Sequence, residues 1–206
     1  GAQEQKIKCI VWDMANSDMQ YRYEKYELGK IGECSNIDDK NKVYGEIISK
    51  IHELAPTYKM FIDANAKRTF LDKIFLSVCS IFNESNFIHT HSSAYNIFKN
   101  IWSNLKGNNI DGGQQMIICA KKNTPNEDLS DNEQLFGIYQ LLYRHRNRSA
   151  HNLLSYQDNL PPLWEMRDVY IQEHYNIFIF IAELILIDEM LMKAFAEYVR
   201  LQKLVL

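Results

Sequence analysis

The stretch Val43-Tyr44-Gly45-Glu46-Ile47-Ile48-Ser49-Lys50-Ile51-His52-Glu53-Leu54 decides the fold class of this chain. Its apolar side chains recur at the three- and four-residue spacing of one helix face, and not at the alternate spacing of a strand. Residues 35–38 offer polar side chains that can cap the start of a helix, and Pro56 limits its end. The predicted amphipathic helix buries one apolar stripe, formed by Val43, Ile47, Ile48, Ile51 and Leu54.

Two more helices are predicted downstream from the same pattern. The first should end near Asn83, and its stripe comprises Phe70, Leu71, Ile74, Phe75, Val78, Ile81 and Phe82. A polar loop over 83–91 follows, after which Ser92 or Ser93 can cap a helix that Gly107 closes. This helix runs through Tyr95, Phe98, Ile101, Trp102 and Leu105, and we expect its aromatic side chains, Tyr95, Phe98 and Trp102, to be core.

The C-terminal part of the chain contains an irregular segment and two more helices. Residues 108–128 are predicted to form a small irregular or β insertion. A capping-box pattern starts a fourth helix at Ser130, with an apolar edge of Leu135, Ile138 and Leu142. The prolines in 160–163 break the chain, and a last helix is expected over 164–201.

The N-terminal residues 4–28 permit two interpretations. Ile7, Cys9 and Val11 alternate as on a strand, whereas helical spacing joins Ile7, Ile10, Val11 and Met14. We favour a helix and treat 1–35 as an extension of a bundle over 36–206. The predicted fold class is all-α, an antiparallel bundle of about five helices with the insertion near 108–128.

Length, charge and hydropathy exclude several classes of protein. At 206 residues the chain is one large domain or two small ones, and its net charge of −3 provides no overall basic field. The most apolar segment, 177–187, is interrupted by Glu183, so it predicts a buried bundle helix and no membrane span. The chain begins without Met, which is consistent with a piece of a longer protein.

Cysteines and histidines give no sign of a metal site. The four cysteines are far apart and form no Cys-x-x-Cys pair, which argues against zinc and disulfides and favours the cytoplasm; they are Cys9, Cys34, Cys79 and Cys119. His89 and His91 lack a third ligand nearby. We therefore predict neither a metal nor another cofactor.

The segment from Tyr143 to Asn152 is the candidate functional site. It contains three arginines and two histidines within ten residues, in a chain of negative net charge. A local concentration of cations against the overall sign indicates a surface that meets an anionic partner.

Within this segment, Arg146 and Asn147, three further residues and then His151 resemble the signature of the HEPN superfamily. The resemblance implies a helical bundle over about 36–204, with the motif near the end of one helix. It also implies a metal-independent endoribonuclease of the kind that acts as a toxin or an antiviral effector. An antitoxin or another defence-system subunit is the implied protein partner.

Arginine, asparagine and histidine are residue types that suit metal-independent cleavage of RNA. Histidine titrates near neutrality and can move protons, so His151 is the predicted general acid or base. The planar guanidinium of Arg146 can grip phosphate oxygens, and Asn147 can orient either group. We predict that the neighbouring side chains contact RNA: Tyr143, Arg144, His145, Arg148 and Tyr156.

Helix geometry predicts that one copy of the motif cannot bring Arg146 and His151 together on one phosphate. Arg146 and His151 are five residues apart, which on a straight helix separates them by about 140° and about 7.5 Å along the axis. Either the helix ends inside the motif, or a two-fold axis completes the site. We therefore predict a homodimer whose two motifs line one cleft.

Three alternatives stay open. Arg144, Arg148 and His151 share a helix face, and the family tolerates six residues between Arg and His, which would make Arg144 the motif arginine. We prefer Arg146 because Asn147 follows it. In the second alternative, the chain is a non-catalytic RNA-binding or protein-interaction domain. In the third, the domain is purely structural, and the cations only complement the C-terminal end of a helix.

Overall fold

The structure is a computed structural model that describes residues 1–27, 34–83, 87–105, 110–117, 135–140, 142–143 and 176–205. Helices dominate these residues, so the predicted all-α class is confirmed. In chain order they are α1 (Ala2–Ser17), α2 (Met19–Arg22), a π-helical turn (Tyr23–Glu27), α3 (Ile37–Leu54), α4 (Ala64–Asn83), α5 (Phe87–Thr90), α6 (Ser92–Asn104) and α7 (Ile177–Val205). Residues 135–140 are helical as well.

The chain divides into two compact units. The first comprises Gly1–Met60, Asp111–Ile117 and Asp188–Leu206, and the second comprises Phe61–Ile110 and Ile118–Ile187. Within the described ranges, no helix combines the length and the apolarity that crossing a bilayer requires.

Helix α1 settles the question that the N-terminal residues leave open. Ile7, Ile10, Val11 and Met14 are all buried, at 3% exposure or less. The alternative strand would have buried Cys9 on the same face as Ile7, but the Cys9 side chain is exposed. The helical prediction is confirmed, because only a 3.6-residue period brings the four apolar side chains to one face.

Helix α3 follows its sequence pattern closely. The Asn36 side chain caps it by accepting from the Asp39 backbone N–H at 2.7 Å. The stripe of Val43, Ile47, Ile48 and Ile51 is buried. Leu54, which was expected to complete the stripe, is 37% exposed because it is the last residue of the helix.

A tight non-helical loop packs on α3 in the first unit. The Asp111 N–H donates to the Met116 carbonyl, and Gly112, at φ 72°, donates to the Gln115 carbonyl. A Cβ at Gly45 would stand 2.9 Å from the Gln114 carbonyl oxygen, so α3 and the loop approach too closely for a side chain. The irregular insertion is confirmed for 110–117, while 118–128 lies outside the described residues.

The second unit is held by an aromatic core. Phe98 is fully buried, with its ring centroid 5.4 Å from Phe75 and 6.0 Å from Phe178. The Trp102 indole donates to the Leu71 carbonyl at 2.9 Å. The predicted core positions Phe98 and Trp102 are confirmed, but Tyr95 is only half-buried.

Local details around α5 and α6 differ from the predictions. The expected polar loop over 83–91 contains the short helix α5. Helix α6 is preceded by His91 as its N-cap, with no side-chain capping bond, so neither serine caps it. The prediction misses α5 and the N-cap of α6, because short helices and the choice of a capping residue depend more on tertiary packing than on local preference. The last helix, expected over 164–201, begins at Ile177 as α7, and the Asn176 side chain before it accepts from the Phe178 N–H at 3.0 Å. The proposed ends at Gly107, Ser130 and 160–163 lie outside the described residues.

Candidate functional site

The helical segment 135–140, with 142–143, leads directly into the candidate site. Leu135 is fully buried and Tyr139 is 4% exposed, whereas Ile138 and Leu142 are only half-buried. The predicted apolar edge of Leu135, Ile138 and Leu142 is therefore partly wrong. Tyr139 lies one turn after Leu135 and shares its face, so it replaces Ile138 as the buried neighbour.

Tyr143 is the one predicted site residue within the part of the chain that the structure describes. It is helical, half-buried and held by at least one contact. The remaining predicted site residues lie outside the described residues: Arg144, His145, Arg146, Asn147, Arg148, His151 and Tyr156. Their convergence on a phosphate group stays a prediction.

Glu183 is a buried acid that appears in the sequence only as an interruption of the apolar run 177–187. Its side chain on α7 is fully buried, and neither carboxyl oxygen has a hydrogen-bond partner among the described residues. Burial raises the pKa of this carboxyl well above its usual range, which favours the neutral form. Because water and substrate have no access to it, Glu183 is not positioned for catalysis on an external substrate.

A second group of titratable residues joins the N-terminal helices to α3. The Tyr21 hydroxyl donates to the Glu46 carboxylate at 2.9 Å, and Lys25 pairs with the same carboxylate. Burial and the Glu46 charge raise the pKa of Tyr21. Lys50 lies 2.8 Å from Asp18. These groups satisfy one another, so the cluster is structural and provides no free base or nucleophile.

An open groove lies beside α1 in the first unit. It has a volume of about 540 Å³ and is lined by Lys8, Cys9, Trp12, Asp13 and Tyr26. The Trp12 and Tyr26 rings meet edge to face, with centroids 5.6 Å apart and planes at 88°. The sequence analysis did not identify this groove, because its two rings belong to different helical elements.

The described part of the chain contains no group of three His, Cys, Asp or Glu side chains that could hold a metal ion. Comparisons with protein-family models, with curated proteins and with solved structures match nothing. The described residues therefore place this protein in the all-α class, with a cation-rich motif in its sequence and an open aromatic groove beside α1.

Proposed function

We propose that this chain is a HEPN-type, metal-independent endoribonuclease. The observation that carries the proposal is the motif Arg146-Asn147 and His151, preceded directly by the helical residues 135–140 and 142–143. The all-α structure of the described residues agrees with the fold that the motif implies. The three arginines and two histidines of residues 143–152 provide the local positive charge that an acidic chain needs to approach RNA.

The proposed reaction is a transesterification within the RNA, in which the phosphoryl group moves from the 5′-oxygen to the 2′-oxygen. His151 of one protomer takes the proton of the 2′-hydroxyl, and the 2′-oxygen attacks the adjacent phosphorus. The bond to the 5′-oxygen breaks, and that oxygen takes a proton from the partner's His151. The products are a 2′,3′-cyclic phosphate and a 5′-hydroxyl end.

The other residues of the motif stabilise charge and orient the substrate. Arg146 holds the phosphate oxygens as negative charge grows on them, because its guanidinium stays charged and forms two parallel hydrogen bonds. Asn147 orients the phosphate or the His151 ring. The RNA-contacting residues are Tyr143, Arg144, His145, Arg148 and Tyr156.

The test is cleavage of a labelled single-stranded RNA in the presence of EDTA. We expect the wild-type protein to release a product with a 2′,3′-cyclic phosphate end, and His151→Ala to lose roughly a hundred- to ten-thousand-fold in rate. His89→Ala is the matched control, because His89 is an exposed histidine at the end of α5. Cleavage by His151→Ala at the wild-type rate, or an absolute need for a divalent metal, would exclude this mechanism.

A non-catalytic RNA-binding or interaction domain is the second candidate, and the same cluster of cations favours it. In that case the labelled RNA binds without being cut, and its affinity falls steeply as salt is raised. A cytoplasmic setting is favoured by the scattered cysteines, whereas an antitoxin or other defence-system partner follows from the family resemblance alone. Co-purification of the native complex from its source organism would test that partner.

A further inference from the structure

The groove beside α1 contains one cation, one acid and one large aromatic ring from the same helix. Lys8 and Trp12 are one turn apart, whereas Lys8 and Asp13 are about 140° apart around the axis and about 7.5 Å apart along it. The two charges therefore stand at opposite edges of the helix face. Neither side chain forms an ion pair with a described residue, so both charges are available to a ligand.

Trp12 and Tyr26 form two walls of the groove at a right angle to each other. Their ring centroids are 5.6 Å apart, their planes cross at 88°, and the side chains are 51% and 39% exposed. A flat ligand stacked between two rings requires parallel faces, whereas perpendicular faces suit a rounded group. Quaternary ammonium groups are rounded cations that aromatic side chains recognise, because each ring face carries the negative part of a quadrupole.

No described cation lies over either of these two rings. The cation–ring contacts among the described residues place Lys25 over Tyr21 and Lys99 over Tyr95. Asp13 adds a carboxylate to the lining of the groove, and a carboxylate attracts an ammonium group bound beside it. The aromatic corner therefore favours a cation from outside the chain.

Cations around the groove select the rest of the ligand. Lys8 lines it. Burial raises the pKa of Tyr26, and the Arg22 charge near its hydroxyl acts in the opposite direction. A ligand that carried only a positive charge would be repelled by Lys8 and Arg22. A ligand with an anionic group a few bonds from its ammonium satisfies both signs, and phosphate is an anion that lysine and arginine bind.

We propose that the groove lined by Lys8, Trp12, Asp13 and Tyr26 binds free phosphocholine. The trimethylammonium group lies against the two rings of Trp12 and Tyr26, and Asp13 is its counter-ion. The phosphate group pairs with Lys8. The proposal concerns a surface outside the ribonuclease motif, and it does not rest on that function.

The groove is suited to a free small molecule and not to a lipid headgroup. Helices that lie in a lipid surface insert an apolar face, but the apolar face of α1 is buried within the protein. The groove volume of about 540 Å³ is within the range of small-molecule sites. The exposed Cys9 thiol also lines the groove, so its reactivity reports whether the groove is occupied.

The test is the rate of Cys9 alkylation by iodoacetamide in the full chain, measured by peptide mass spectrometry as phosphocholine is titrated. Phosphocholine should protect Cys9, while Cys79, a half-buried thiol on α4, reports any change outside the groove. Choline should bind about threefold more weakly, because it lacks the pair with Lys8. Its neutral isostere 3,3-dimethylbutan-1-ol should bind about tenfold more weakly than choline, because it lacks the charge that the rings attract.

Substitutions in the groove separate the cation site from the anion site. Trp12→Leu should weaken phosphocholine binding about tenfold, whereas Trp12→Phe should retain most of it. Tyr23→Leu is the matched control, because Tyr23 is 49% exposed and lies outside the lining of the groove. Lys8→Gln should remove the preference for phosphocholine over choline. Lys42→Gln, at an exposed lysine of α3, should keep that preference.

Several outcomes would overturn the proposal. They are unprotected Cys9 at about 10 mM phosphocholine, equal binding of choline and its neutral isostere, Trp12→Leu binding as tightly as Tyr23→Leu, and a preference for phosphocholine that persists in Lys8→Gln. Protection by phosphatidylcholine vesicles alone would assign the groove to a lipid surface. Stronger protection by a trimethyllysine peptide than by phosphocholine would assign it to a protein, and either result would also overturn the proposal.

Discussion

Asn41 in the first unit and Glu183 in the second are both buried polar side chains on helices, but their surroundings differ. The Asn41 amide donates to the Ile117 carbonyl at 3.0 Å and accepts from the Met116 N–H at 2.9 Å. Glu183 has no hydrogen-bond partner for either oxygen. A satisfied buried group can join distant segments, whereas an unsatisfied one costs the free energy of its desolvation.

The largest expected effect is the loss of the Asn41 side chain. Asn41→Ala leaves the buried Met116 N–H without this acceptor and releases the loop from α3. We expect a loss of about 3 kcal/mol in the free energy of unfolding. Urea denaturation measures it, with Asn100→Ala as the control, since Asn100 is an exposed asparagine on α6. Equal stability of the two variants would mean that the loop is held by other contacts.

The second prediction concerns Glu183, whose ionisation should lower the free energy of unfolding of the wild type as pH rises. Because its pKa is raised in the folded protein, the unfolded chain ionises first as pH increases, and the wild type then loses stability. Glu183→Gln cannot ionise. The variant should match the wild type below pH 4 and exceed it at pH 7 by about 1 kcal/mol or more in unfolding free energy.

Thermal unfolding at several pH values tests this difference. Glu27→Gln is the control, since it makes the same substitution at an exposed glutamate. A gap between Glu183→Gln and the wild type that stays constant from pH 4 to pH 8 would show that Glu183 does not titrate as its burial requires.

The smallest expected change in stability is at an exposed ion pair. It compares polar groups at the surface with the buried side chains Asn41 and Glu183. Lys6 Nζ lies 2.6 Å from Asp188 Oδ1, but the two side chains are 42% and 36% exposed. Lys6→Ala should change the unfolding free energy by about 0.5 kcal/mol or less, because water and salt screen the pair. Urea denaturation at low and high salt measures it; a loss as large as that of Asn41→Ala would contradict the ranking.

The sequence predicts the candidate site only as a set of residue types. Arg146, Asn147 and His151 name a chemistry because guanidinium, amide and imidazole groups have properties that do not depend on the fold. Their relative positions depend on where the helix ends, which local spacing does not determine, and the two-fold pairing of motifs stays a prediction. The groove at Trp12 and Tyr26 was missed for the same reason.

The sequence by itself determined the helices α3 and α4 and most of the apolar side chains that they bury, but it left α1 open between a helix and a strand. The cause is local: apolar residues at helical spacing, such as Val43, Ile47 and Ile51, lie on one face whenever the segment is helical. Only the tertiary structure decided which polar groups are satisfied. Asn41 meets a loop 75 residues away, and Glu183 meets no partner, because such contacts depend on how distant segments pack.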